Sequence, residues 1–219
     1  MSADTLAVPK SFQAKSGPWW EIVVILGLYL FVTLFVKGLA PLAPFLLLIY
    51  ILTDGWLRHR TWADYGFARR SIPDGIRNTL GWSLLVVFGT QAIFVFGEYF
   101  FLPDVFQHIF ARLPVDMRAM NASVVITLVI GTFLEELIFR ALFQNRLAIL
   151  VSPATAISIT ALTFALAHYS PGPVLVVFVD LLSVFIDGLL YGVIYQRSKN
   201  IFVSWIPHFL ADVVAQFFF

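Results

Sequence analysis

The sequence predicts an all-α fold: a polytopic transmembrane helical bundle of about seven spans (six to eight) enclosing a polar chamber. Three observations lead there. The 219-residue chain is 60% hydrophobic and only 12% charged, about half the ~25% charged share of a soluble domain. Its mean hydropathy is +0.88, and the apolar residues fall in runs near the ~20 residues a helix needs to cross a bilayer. Inside those runs sit a few acids and histidines. A charged side chain at mid-bilayer costs about 2.5–3.5 kcal/mol on insertion scales, so such groups are expected to face the bundle interior.

Seven spans are expected. The first covers 19–36 and opens on the Trp19–Trp20 pair, which suits the headgroup level. The second, 39–53, is short and is expected to tilt or re-enter. A polar loop with five arginines follows, and the third span covers 78–102. Residues 103–120 are of mixed polarity and are expected along the interface. The fourth span covers 123–147, the fifth 153–169, the sixth 173–195 and the seventh 201–219. With no internal repeat and no polar stretch long enough for a second unit, residues 1–219 read as a single membrane domain. The polar N-terminal stretch lacks the apolar core and cleavage site of a signal peptide, so the first span is expected to remain in the mature protein.

Orientation follows from Lys and Arg in short loops and at the end of the fourth span. Lys10, Lys15, Arg58, Arg60, Arg69, Arg70, Arg77, Arg140, Arg146, Arg197 and Lys199 fall on one side, and Lys37, Arg112 and Arg118 on the other. The N-terminus is therefore expected in the cytoplasm and the C-terminus on the far side. A net charge of +1 implies no nucleic-acid partner. The absence of cysteine excludes disulfides, thiol catalysis and cysteine-bound metal.

The intramembrane polar groups are Glu135, Glu136, Arg140, His168, Asp180, Asp187, His208 and Asp212, with Glu98, His108 and Arg146 assigned to an interface. In "FLEELIFRALF" (133–143), Glu136 and Arg140 are four residues apart and share a helix face, so they can pair. Glu135 is turned about 100° from Glu136, which leaves it comparatively free, as a general base requires. The plainer alternative is an ion cluster that locks two helices. "FALAHY" places His168 four residues after Phe164, and "PHFLAD" places His208 and Asp212 four apart on the last span. If these faces converge, one carboxylate and two imidazoles can activate a water and stabilise an oxyanion. They can also hold a divalent metal such as zinc. No HExxH occurs, so the helix-borne metalloprotease arrangement is absent. Asp180 and Asp187 share a face of the sixth span. Asp180 is expected to serve packing or touch a water-filled cavity, and Asp187 to support the site from behind. Gly188 and Gly192, four apart, read as a close helix contact.

These residues resemble a known family. "EELIFR" fits EExxxR through Glu135, Glu136 and Arg140; "FALAH" fits FxxxH through Phe164 and His168; "HFLAD" fits HxxxN or HxxxD through His208 and Asp212. They occur in the family's order on successive C-terminal helices. The family is the CPBP group, comprising type II CAAX prenyl proteases and bacteriocin-processing or immunity-associated relatives, also called ABI proteins. The resemblance covers 123–219 and implies a catalytic core there.

What the resemblance implies is a glutamic intramembrane endopeptidase acting without a metal cofactor, zinc being the alternative. Glu135 would activate the hydrolytic water with His168 beside it. His208 and Asp212 would stabilise the oxyanion, and Glu136 and Arg140 would hold the architecture, with Phe164 in support. The prenyl-protease branch commonly has asparagine where this chain has Asp212. An ionised aspartate cannot donate to an oxyanion; it would have to be protonated, or instead orient His208 and keep that ring cationic. The expected substrates are membrane-associated or lipid-modified proteins or peptides, with membrane lipid as the other partner, in a prokaryotic cytoplasmic membrane. Two rival classes stand beside this reading: a non-catalytic immunity or scaffold protein on the same fold, and a small proton-coupled transporter.

Overall fold

The computed structural model describes residues 17–36, 38–67, 71–112 and 121–216. Lys10, Lys15, Lys37, Arg69, Arg70 and Arg118, all used for orientation, lie outside the described residues. Eight helices are present among those described: α1 Trp19–Phe35, α2 Ala43–Leu57, α3 Ile72–Phe101, α4 Pro103–Arg112, α5 Ala122–Leu150, α6 Pro153–Ala167, α7 Val174–Ser198 and α8 Ile201–Gln216. No strand is described.

The helix ends follow local chemistry. Asn121 caps α5 by accepting from the Val124 amide at 3.1 Å. Ser152 caps α6 by accepting from the Thr155 amide at 3.2 Å, with Pro153 at the first helical position. Both satisfy amides that a helix start leaves without partners. Helix α7 ends on Lys199 in the left-handed region (φ 49°). Helices α3 and α5 are interrupted by π-helical stretches at Leu85–Thr90 and Leu137–Gln144.

The chain is an integral membrane protein. Four segments are long and apolar enough to cross a bilayer: Ala40–Leu57, Ile72–Phe101, Ala122–Leu150 and Val174–Ser198. Helices α1, α6 and α8 are shorter apolar helices. The second segment is longer than the 39–53 expected, because the helix continues through Asp54 to Leu57. Large apolar side chains such as Phe31, Phe45, Ile49, Phe88, Ile93 and Phe178 face outward, the inverse of a soluble protein and the arrangement a lipid solvent selects.

The alternating ends of the helices meet on two sides. On one, the start of α1 and the ends of α2 and α5 are tied by ions. Arg146 donates to Asp54 (2.7 Å), Arg58 donates to Glu21 (2.7 Å) and to Asp54, and the Tyr65 hydroxyl donates to Asp54 (3.0 Å). The α7–α8 turn joins the same side, where the Ile201 amide donates to Gly66 O (3.0 Å) and Asn200 donates to Ser71 (3.0 Å). On the other side, His108 of α4 meets Ser170 of the α6–α7 turn, Oγ to Nε2 at 2.8 Å.

Helix α7 is central and packs against α6, α3, α8 and α4. Its contact with α6 is close because Gly188 and Gly192 carry no side chain. A Cβ on Gly192 would fall 2.8 Å from Ile157 Cγ2, and one on Gly188 3.1 Å from Phe164 Cδ1. A core of Tyr29, Phe139, Phe143 and Phe164 fills the space between α1, α5 and α6. This packing fixes α5, α6 and α8 around one interior face.

Candidate active site

Helix α5 changes from α to π geometry directly after Glu136, a feature often found at functional sites. Glu136 and Arg140 are fully buried, with Arg140 Nε 3.5 Å from Glu136 Oε1. The guanidinium also lies over two aromatic faces, 5.5 Å from the Phe164 centroid and 6.0 Å from that of Tyr191, within cation–π range. Glu136 Oε1 accepts from His208 Nδ1–H at 3.0 Å. An ionised carboxylate only accepts, so that nitrogen carries the proton. Pro207 has no amide hydrogen and sits inside α8 immediately before His208, which removes one helical bond at this turn.

Glu135 points elsewhere. Its side chain is 35% exposed, and that exposure is to the cavity it lines. His208 Nε2 is 3.5 Å from Glu135 Oε2, and His168 Nε2 is 3.8 Å from Glu135 Oε1. His168 sits at the C-cap of α6, where its Nδ1–H donates to Phe164 O at 2.8 Å. That bond fills a carbonyl the helix end leaves open and turns Nε2 toward Glu135. The two histidines therefore reach one carboxylate from different helices, by the edge remote from their anchors.

The cavity measures about 490 Å³. Glu135, Phe164, His168, Tyr191, His208 and Asp212 line it, together with Gln91, Glu98, Asp180, Ser183 and Asp187. The sequence-derived residues Glu135, Glu136, Arg140, Phe164, His168 and His208 are thus brought into mutual contact. Asp212 lines the same cavity one turn beyond His208. Asp187 also lines it and accepts from Gln91 Nε2 at 3.1 Å. Glu98, assigned from sequence to an interface, is 4% exposed and lines the cavity. It sits within the apolar run "IFVFGEYFF", close to the end of the expected third span, and that place along the chain sets it near a membrane edge. Asp180 is buried with His108 Nε2 3.6 Å away. Ser170 and Asp180 both approach that same nitrogen, so Ser170, His108 and Asp180 do not form a nucleophile–base relay, which uses both ring nitrogens. Among the described residues, no group of three His, Asp or Glu is arranged to hold a metal ion.

Residues 118–214 match a family model described as Rce1-like, type II CAAX prenyl endopeptidase. These residues form an Rce1-like region. It contains every motif residue, from Glu135 to Asp212. No curated protein and no solved structure matches the chain. The cavity extends beyond the Rce1-like region, since Gln91, Phe94, Glu98 and Phe106 lie before it in sequence yet line the same space.

Two of the residues that shape the site had no motif to announce them. Tyr191 stacks on His208, with centroids 4.2 Å apart and planes at 20°. Thr132 accepts from Trp205 Nε1 at 3.0 Å, joining α5 to α8 beside the cavity.

Proposed function

We propose that this chain is an intramembrane endopeptidase that hydrolyses a peptide bond in a membrane-associated or lipid-modified protein or peptide. The observation that carries this reading is the meeting of Glu135 with His168 (3.8 Å) and His208 (3.5 Å) on the wall of a cavity inside a membrane bundle. The Rce1-like match over the segment that supplies these residues supports the reaction class.

Glu135 is the general base. The Glu135 carboxylate is open to the cavity, so a water there can bond to it within reach of both histidines. As the water oxygen bonds to the substrate carbonyl carbon, its proton passes to Glu135 and the carbonyl π electrons move onto oxygen. In its protonated form His208 directs Nε2–H at that oxyanion while Nδ1–H stays on Glu136. Asp212 either donates as a protonated acid or orients His208. The C–N bond then breaks, and the leaving nitrogen takes the proton from Glu135. His168 keeps Glu135 in place. The reaction proceeds without a metal ion, and the protein sits in a prokaryotic cytoplasmic membrane with its N-terminus in the cytoplasm.

The test is cleavage of a fluorogenic farnesylated C-terminal peptide by purified protein in liposomes, with and without EDTA. Glu135→Gln is expected to lower kcat at least about 100-fold with unchanged insertion and thermal midpoint, and EDTA to have no effect. Wild-type protein that cleaves neither this peptide nor its unprenylated form, and instead conducts protons in a Glu135-dependent way, refutes the reading in favour of a transporter.

A further inference from the structure

His208 is anchored at one point by its Nδ1–H bond to Glu136 (3.0 Å). A single hydrogen bond lets an imidazole pivot about it, and the last torsion of histidine is intrinsically broad. Such a pivot would carry Nε2 away from Glu135, 3.5 Å distant. Two rings oppose it. Phe164 meets His208 edge-on at 5.9 Å and 86°, which leaves the plane loosely defined. Tyr191 lies face to face with it at 4.2 Å and 20°. Tyr191 is 2% exposed and belongs to α7, a helix that supplies none of the three motifs. Arg140 lies over both Tyr191 and Phe164 and contacts the two rings that meet His208.

We propose that Tyr191 is a positioning residue: its ring face sets the plane of His208 and so keeps Nε2 on Glu135. The consequence for cleavage rests on the endopeptidase reading, but the consequence for the His208 ring does not. Tyr191 acts through the face and not the hydroxyl, so an aromatic replacement serves and an aliphatic one does not.

The experiment has two arms. In the first, the ring protons of His208 are observed by NMR on histidine-labelled protein in micelles and identified as the signal absent from His208→Gln. Stacking on Tyr191 places them upfield. Tyr191→Phe is expected to keep that shift, and Tyr191→Leu to lose it. Tyr191→Met, which keeps length without a planar face, replaces the leucine variant if that one does not fold. In the second arm, the farnesylated peptide gives kcat and KM. Tyr191→Phe is expected to retain kcat within about threefold. The leucine or methionine variant should lose about 10–100-fold in kcat with KM within about twofold, the signature of misaligned chemistry and not of weakened binding. A folded leucine or methionine variant with the wild-type His208 shift and kcat overturns the proposal. So does a phenylalanine variant as impaired as the leucine one, because the hydroxyl would then be the acting group. Shifts as expected in a wild-type protein that cleaves nothing uphold Tyr191 as the support of His208 and refute only the endopeptidase reading.

Discussion

Replacing Arg140 with methionine probes how two glutamates survive inside a membrane bundle. Arg140 and Glu136 are both fully buried, and their nearest charged atoms are 3.5 Å apart. At an effective dielectric of ~20, unit charges at that separation attract by about 5 kcal/mol. Removing one partner of a buried pair typically costs ~3–5 kcal/mol. The His208 Nδ1–H bond to Glu136 survives the change, which places the expected loss at the lower end, about 3 kcal/mol. Glu136→Gln strands a guanidinium whose three nitrogens make no hydrogen bond among the described residues, and about 3 kcal/mol is expected there too. The double variant removes both charges and leaves two neutral groups of similar volume. Its cost is expected to be about 1–3 kcal/mol, well below the sum, because non-interacting sites add within ~0.3–0.5 kcal/mol and paired ones do not. Reversible unfolding in mixed detergent micelles, followed by tryptophan fluorescence, measures all four species. Single-variant losses that sum to the double-variant loss would refute charge compensation between Glu136 and Arg140.

Three further outcomes follow from the same packing. Asp54→Asn should lower stability by about 3–5 kcal/mol, read as the thermal midpoint, since Asp54 is 3% exposed and accepts from Arg58, Arg146 and Tyr65. Gly192→Val should cost about 1–3 kcal/mol by overpacking, because its Cβ would sit 2.8 Å from Ile157; a thermal midpoint equal to wild type would contradict the close α6–α7 contact. Lys199 lies just beyond the end of α7, and burial pushes its amine down from the usual lysine value to about 8. Between about pH 8 and 10.5 the unfolded chain then holds a proton that the folded one does not, so this group makes stability rise with pH. The contribution is complete above about 10.5 and is lost as the pH falls through about 8. Thermal midpoints of wild type and Lys199→Gln at pH 7 and 9.5 should therefore differ in slope, the wild type gaining more on going alkaline.

The helices were largely legible because a bilayer imposes length and polarity together: an apolar run of about 20 residues has few other uses. The exceptions are instructive. The second span extends through Asp54 because its carboxylate is neutralised by arginines from the loop and from α5, partners that lie up to 92 residues away. The π-helical turns after Leu84 and Glu136 were invisible, since no residue pattern distinguishes them from continuous α-helix. In the site, Glu135, Glu136, Arg140, His168, His208 and Asp212 stood out because ionisable groups are costly in hydrocarbon. Tyr191 and Thr132 did not stand out, because a tyrosine or threonine in a membrane helix costs little and signals nothing until its neighbour is known. Glu98 was set near an interface by its place close to the end of a span; that it lines the cavity depends on the helices packed around it.

The sequence by itself determined that this chain crosses a membrane as a helical bundle, that its ionisable groups lie on a few C-terminal helices, and that those groups resemble one family's motifs. Those are one-dimensional facts, set by the transfer cost of each side chain and by the 3.6-residue repeat. Which atoms meet was decided only by the tertiary structure. Whether Glu135 faces His168 and His208, which nitrogen of His208 serves Glu136, and which ring holds that imidazole flat all depend on how α5, α6, α7 and α8 rotate and approach. Their rotation follows from packing among residues distant in sequence, such as Gly192 against Ile157 and Arg140 over Phe164 and Tyr191. Packing energy depends on shape at the scale of single ångströms, and no local pattern along a chain encodes that.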